Sequence, residues 1–140
     1  MYILDTDHLT LLERRSKEAD KILGYLRQTS ETTFYTTITT YEEQTRGWFS
    51  HLAQAKNIEA QIRAYQKLTR HLNIFCMMPI VDFDENAGNI FQKLQKSRLR
   101  IGTMDLKIGA IALSKNATLL TRNFSDFSQI EGLKIENWSI

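Results

Sequence analysis

Tyr2-Ile3-Leu4-Asp5-Thr6-Asp7-His8-Leu9 (residues 2–9, YILDTDHL) sets three apolar residues against an acid, then adds a hydroxyl and a second acid before apolar residues resume. The apolar run predicts a short buried strand, and Thr6 and Asp7 predict the cap of a helix beginning near His8. On this reading Asp7 is the better cap. Asp5 is left at the C-terminal edge of the strand, where a carboxylate must be paired or metal-bound. Open α/β sheets gather their ligands at that edge, so one stretch suggests both a fold class and the place of a site.

The pattern continues outward. Ala19, Ile22, Leu23 and Leu26 recur at helical spacing over 16–28, and Phe34 to Ile38 reads as a second strand. Thr40 to Glu43 has the capping-box pattern, predicting a third helix with Tyr41, Trp48, Phe49 and Leu52 as its apolar stripe. Ile58, Ile62, Tyr65, Leu68 and Leu72 predict one buried face of a long helix over 57–75 that pairs with the third as a hairpin. Ile80 to Phe83 is a brief strand, Asp84 caps a helix, and Met104 to Leu113 is an apolar helix opened by Asp105. Thr118 to Thr121 and Leu133 to Ile135 supply the last strands. This alternation predicts a three-layer α/β/α fold around a mostly parallel sheet of four to five strands, as a single domain over 1–140.

Composition narrows the function. Eighteen basic residues against sixteen acidic ones give +2. If Asp5, Glu43, Asp105 and Asp126 gather at one site, the remaining surface is basic, and an acidic hole in a basic surface suits a polyanion handled through metal. An evenly mixed, solvated surface accounts for the charge equally well. A single cysteine, Cys76, cannot form an internal disulfide. No apolar run approaches the roughly 20 residues that cross a bilayer, and the apolar start is too short for a signal peptide, so a reduced, cytoplasmic setting without membrane contact is expected.

Four contexts carry the chemistry: Asp5 in YILDTDHL, Glu43 in ITTYEEQTRG, Asp105 in IGTMDLKIGAIAL and Asn123 in LLTRNFSDF. Carboxylates brought together at strand ends have one common use, which is to hold a hard divalent cation through oxygen. Each also has a structural role to offer: Asp5 as a cap, Glu43 as a capping-box acid, Asp105 as a partner of its helix dipole, Asn123 as a turn former. Glu42 and Glu43 lie about 100° apart around a helix, so one of them should face Asp5; the spacing from Thr40 to Gly47 favours Glu43. Gly109, Ala110 and Ala112 would let their helix pack closely onto the sheet near Asp5.

Taken in order, DTDHL, the T-x-x-E followed by glycine, IGTMDLKIGAIAL and LLTRNFSDF resemble the PIN domain over the whole chain, and more narrowly its VapC-like toxin ribonucleases. The resemblance implies an endoribonuclease in which Asp5, Glu43 and Asp105 hold one or two Mg²⁺ or Mn²⁺ ions, with Asn123 at the family's fourth position. Thr6, Asp7, Glu42, Thr121 and Asp126 would stand around them. It further implies metal-assisted phosphodiester hydrolysis, a small cognate antitoxin seated in a groove leading to the acids, and a homodimer. Arg98, Arg100, Lys107 and Arg122 are candidates for RNA phosphate contacts, although solvated surface is their commoner role. Trp48, Phe49, Tyr41, Leu11 and Leu12 are candidates for the groove, and equally for ordinary core positions. The adjacent Glu42-Glu43 and the Gln44 after them depart from the commonest pattern.

Two other readings compete. A PIN-fold module that binds RNA or protein without cutting is favoured by Asn123 standing where Asp also occurs, and opposed by the three acids that remain. DTDHLT loosely resembles the aspartate motif of haloacid-dehalogenase-type phosphatases, but its spacing fits poorly, and hydrolysis of small phosphomonoesters is not expected.

Overall fold

The computed structural model describes residues 1–29 and 34–140. In chain order the elements are β1 (Tyr2–Leu4), α1 (Thr6–Glu13), α2 (Lys17–Gln28), β2 (Phe34–Thr37), α3 (Ile38–Ala53) and α4 (Ile58–Met77). They continue with β3 (Ile80–Val81), α5 (Glu85–Lys96), α6 (Thr103–Ser114), β4 (Thr118–Leu120), α7 (Phe124–Phe127) and β5 (Lys134–Glu136). The strands form one sheet in the order β3-β2-β1-β4-β5, and every pairing is parallel. The chain winds one way from β1 to β3 and the other way from β4 to β5. Strand order therefore reverses between β1 and β4, the crevice where open sheets bind ligands.

Alternation along the strands divides the core into two layers. Ile3 and Leu119 face one side, packing with Leu106, Ile108, Ile111, Phe127 and Ile130 beneath α5 and α6. Their neighbours Leu4 and Leu120 face the other side, with Leu9, Ile22, Phe75 and Trp138. Two-residue periodicity in three-residue strands is enough to do this because both faces are covered. Trp138 completes the second layer, its ring 4.8 Å from Tyr2 and 5.3 Å from Tyr25.

Two helix starts differ from the sequence reading. Asp5 itself caps α1, its Oδ1 accepting from the Thr6 amide at 2.8 Å, whereas Asp7 lies within the first turn. Helix α3 starts at Ile38, because the Thr37 hydroxyl caps it by accepting from the Thr40 amide at 2.9 Å. Glu43 is thus in the second turn rather than in a capping box, and its carboxylate is available for long-range contacts. The hydroxyl nearest the strand won the competition for the cap.

The long helix differs more. Ile58, Ile62, Tyr65 and Leu72 are exposed, by 63, 51, 56 and 52%. The buried stripe is instead Ala64, His71 and Phe75, at spacings that keep one helical face. Alanine lets α4 approach closely, and His71 fastens it to α3 through Thr45 Oγ1 at 2.8 Å while stacking on Tyr41 at 5.6 Å. Polar partners across the hairpin outweighed the more hydrophobic face.

The small residues of α6 pack close: Ala112 joins the layer of Ile3 and Leu119 on the sheet, and Gly109 meets Ile130. A Cβ at Gly109 would lie 2.5 Å from Ile130 Cδ1 and 3.8 Å from both Phe127 and Leu133. Ile130 and Phe127 are buried and cannot move freely. Gly109→Val should therefore lower stability by about 2 kcal/mol despite the better helix propensity, as read from the urea midpoint.

Candidate active site

Asp5 follows β1 directly and is 4% exposed. Besides capping α1, its Oδ2 accepts from the Thr121 hydroxyl at 2.8 Å, so the ends of β1 and β4 are tied across the switch point. Burial, then the charge of Asp7, raises its pKa to about 7 against the lowering effect of the Thr121 and Thr6 bonds; Asp105 raises it further. Asp105, in the first turn of α6, is half-buried, and its pKa is also raised, first by burial and then by Glu43, Asp126 and Asp7. Every charged group that shifts either carboxylate is itself acidic.

Glu43 reaches this place from α3, its Oε1 accepting from the Thr6 hydroxyl at 3.0 Å. Glu42 turns away to pair with Arg46 one turn on. The geometry thus singles out Glu43 of the two. Asn123 caps α7 with its amide oxygen, which accepts from the Asp126 amide at 3.4 Å and the Ser125 hydroxyl at 3.1 Å. Its amino group donates to Asp126 Oδ2 at 3.0 Å and Asp105 Oδ2 at 3.4 Å. Asn123 accordingly meets the acids as a donor that orients Asp105 and Asp126.

Asp7 works one step back. Its Oδ2 accepts from the Arg122 amide at 2.9 Å and the Thr121 hydroxyl at 3.3 Å, and its Oδ1 lies 2.7 Å from His8 Nδ1. The other ring nitrogen of His8 accepts from the Trp138 amide at 3.0 Å. That contact fixes the tautomer: Nε2 is bare, so Nδ1 carries the proton and donates to Asp7. His8 is fully buried and was missed in the sequence, where its only signal was a histidine following the DTD acids. His8→Ala would orphan the Trp138 amide and one Asp7 oxygen and open a cavity. A loss of about 3 kcal/mol is expected in chemical denaturation.

The basic candidates have separate partners. Arg98 and Arg100 are exposed, and Arg100 exchanges backbone bonds with the Gln129 side chain. Lys107 sits over the Phe83 and Phe91 rings at 5.8 and 5.7 Å, and the exposed Arg122 is felt by Glu18 on α2. The groove candidates also separate. Trp48 lines a cavity beside α1, Tyr41 and Phe49 line another between α3 and α6, and Leu11 and Leu12 pack against the core.

The donor set suits a hard divalent cation: Asp5, Glu43 and Asp105 bring carboxylates to one edge of the sheet, where acidic neighbours raise the pKa of Asp5 and of Asp105. Among the described residues no three His, Cys, Asp or Glu side chains converge as a closed set of ligands. Both Asp5 oxygens and one each of Glu43 and Asp105 are instead turned to hydroxyls and amides, the arrangement expected when like charges stand apart.

The comparisons agree with this architecture. The family model of the PIN domain matches residues 2–133. Ribonuclease VapC1 of Haemophilus influenzae (strain R2866) is 30% identical over 140 residues, covering 99% of this chain and 98% of the relative. Among solved structures, VapBC-1 from nontypeable Haemophilus influenzae superposes with a TM-score of 0.69 at 28% identity, covering 99% and 98% of the two chains. VapBC2 from Rickettsia felis, bound to a DNA fragment from its promoter, gives 0.70 at 24% identity over 98% of both chains, a likeness of fold. With the acids at the sheet's switch point, a match along nearly its whole length and a full-length relative, the chain belongs to the PIN-domain family, among the VapC ribonucleases.

Proposed function

We propose that residues 1–140 form one nuclease domain, a divalent-metal-dependent endoribonuclease acting as the toxin of a toxin–antitoxin pair. The observation that carries this reading is the placing of buried Asp5 and half-buried Asp105 at the point where strand order reverses, where burial raises both pKa values and every charged neighbour that acts on them is acidic. RNA is its substrate, a small antitoxin its inhibitor, and a homodimer its assembly. Its setting is cytoplasmic, in keeping with an exposed, unpaired Cys76; among the described residues no helix is long and apolar enough to cross a membrane.

Asp5, Glu43 and Asp105 would hold Mg²⁺ or Mn²⁺. The ion, when bound, supplies neutralisation of phosphate charge and acidification of water. The chain's own groups do the positioning. Thr121 fixes the rotation of the Asp5 carboxylate, Thr6 holds Glu43 towards it, and Asn123 holds Asp105 and Asp126. Asp7, braced by His8, pins the segment after β4 through the Arg122 amide. The N-termini of α1 and α6 add positive potential on the same side of the sheet, where a phosphate would lie.

The test is incubation of a pool of structured cellular RNAs with purified, antitoxin-free protein in Mg²⁺, Mn²⁺ or chelator. Cleavage is expected with either metal and none with chelator. Cleavage indifferent to chelator would sink the metal assignment. Silence from folded protein in both metals would favour the binding module.

A further inference from the structure

A cavity of about 700 Å³ opens beside the acidic site and runs along α1 between α3 and α4, lined by Thr6, Thr10, Glu13, Gln44, Trp48 and His71 among others. Thr6 is the residue that holds Glu43, so this cavity and the acids share a wall. Glu13 Oε1, Gln44 Oε1 and His71 Nδ1 are buried and have no hydrogen-bond partner among the described residues. All three belong to residues lining this one cavity. Unmet polar atoms are costly enough that folded chains seldom keep them without a use. Terminal carboxylate and amide torsions are soft, so a small rotation presents them to an occupant.

The cavity's chemistry specifies that occupant. Its wall offers an acceptor carboxylate and an indole, and exposed Arg14 and Arg70 stand at its rim. Lys67 joins them, its ammonium 5.9 Å over the Trp48 ring. Cations for phosphate, an aromatic plane for stacking and a polar edge-reader are how proteins take unstacked bases of RNA. Among the bases, guanine alone presents two adjacent N–H donors, N1–H and N2–H, to one carboxylate. Adenine, cytosine and uracil each place an acceptor beside a donor there.

We propose that this cavity is a guanine subsite of the ribonuclease, in which Glu13 reads the Watson–Crick edge of an unpaired guanine, Trp48 stacks on it, and Arg14, Lys67 and Arg70 hold its phosphates. Glu13 lies seven residues after Thr6 on α1, about 10 Å along the helix axis. The guanine therefore sits roughly one or two nucleotides from the scissile bond. Burial raises the Glu13 pKa while Arg70 and Arg14 oppose the rise, consistent with a carboxylate that gains from two N–H partners. The proposal rests on the ribonuclease reading for its location but not for its chemistry.

Two experiments test it. In the first, GMP, AMP, CMP, UMP and acetylarginine amide are titrated in chelator against the wild type, Glu13→Gln and Arg70→Gln, following tryptophan fluorescence and ligand NMR. GMP is expected to bind at least about tenfold tighter than the other nucleotides, with the preference lost in Glu13→Gln. That substitution keeps shape and removes a half-buried charge that burial disfavours, so its Tm should match or exceed the parent's. Arg70→Gln, at an exposed position, should weaken all four nucleotides severalfold without changing their order. Equal binding of the four, a guanine preference that survives Glu13→Gln, or unchanged affinities in Arg70→Gln would overturn the subsite. Tighter binding of acetylarginine amide than of GMP would also overturn it and assign the cavity to a protein guanidinium.

In the second, cut sites are mapped on random-sequence RNA. Guanine at a fixed offset in the wild type, lost in Glu13→Gln, supports the subsite. Metal-dependent cleavage with no such guanine overturns it and leaves the nuclease reading standing. Absent cleavage with selective GMP binding overturns the nuclease reading and leaves a guanine-nucleotide site.

Discussion

Asp5→Asn is expected to abolish the proposed RNA cleavage and to leave the chelated protein at least as stable as the parent at pH 8. Replacing residues that merely orient metal ligands typically costs 10–100-fold in metal affinity or activity, so loss of Asp5, a ligand in the proposed function, should exceed about 100-fold. The stability result is the less obvious half. Asparagine still accepts from the Thr6 amide, and its amino group can donate to the Thr121 hydroxyl, so neither bond of Asp5 is left without an answer. What disappears is a charge in a site 4% exposed, beside Asp7 and Asp105. Thermal unfolding should show the variant's Tm equal or several degrees higher. A marked fall would mean that the Asp5 charge stabilises the fold, and the reading of a carboxylate awaiting a cation would be wrong.

Metal-free wild type is expected to lose stability as pH rises from about 4 towards 8, opposite to the usual behaviour of a salt-bridged carboxylate. Folded Asp5 keeps its proton up to about 7, whereas its ordinary value is 3.8. Between these values the folded state binds more protons than the unfolded state, so stability falls with rising pH. The full contribution is present below the unfolded pKa and lost through about 7. A shift of this size corresponds to on the order of 4 kcal/mol as a ceiling, and the raised pKa of Asp105 adds in the same direction. Mg²⁺ or Mn²⁺ at about 100 times its Kd should restore about 2.7 kcal/mol at pH 8, and little in Asp5→Asn or Asp105→Asn. Denaturant melts across pH, with and without metal, measure both effects. A flat profile in chelator would contradict the electrostatics of the site.

Asp5, Asp105 and Asn123 stood out in the sequence as candidates because each sits beside a strand or helix boundary that its own neighbours announce. Asp5 ends an apolar triplet, Asp105 opens an apolar helix, and Asn123 follows a strand by two residues. Their alternation with helical segments also gave the parallel, doubly covered sheet. What escaped depended on contacts between distant residues. The exposed face of α4 carries the more hydrophobic residues, and only the His71–Thr45 and His71–Tyr41 contacts explain why the other face is buried. The Thr37 cap displaced Thr40 by three residues, a choice between two equally good hydroxyls. His8 joins Asp7 to Trp138 across 130 positions, and nothing local marks such a partner.

The bond from Thr121 to Asp5 spans 116 positions, and β1 has β4 as its neighbour in the centre of the sheet. During synthesis β1 emerges early and can pair at first only with β2, leaving its other edge open until almost all of the domain has been made. Asp5 cannot take its final orientation, nor Asp105 its Asn123 partner, before β4 and α7 arrive. Cutting ability should therefore appear late and all at once on the ribosome. Chains truncated before β4 and α7 should lack the assembled acidic site.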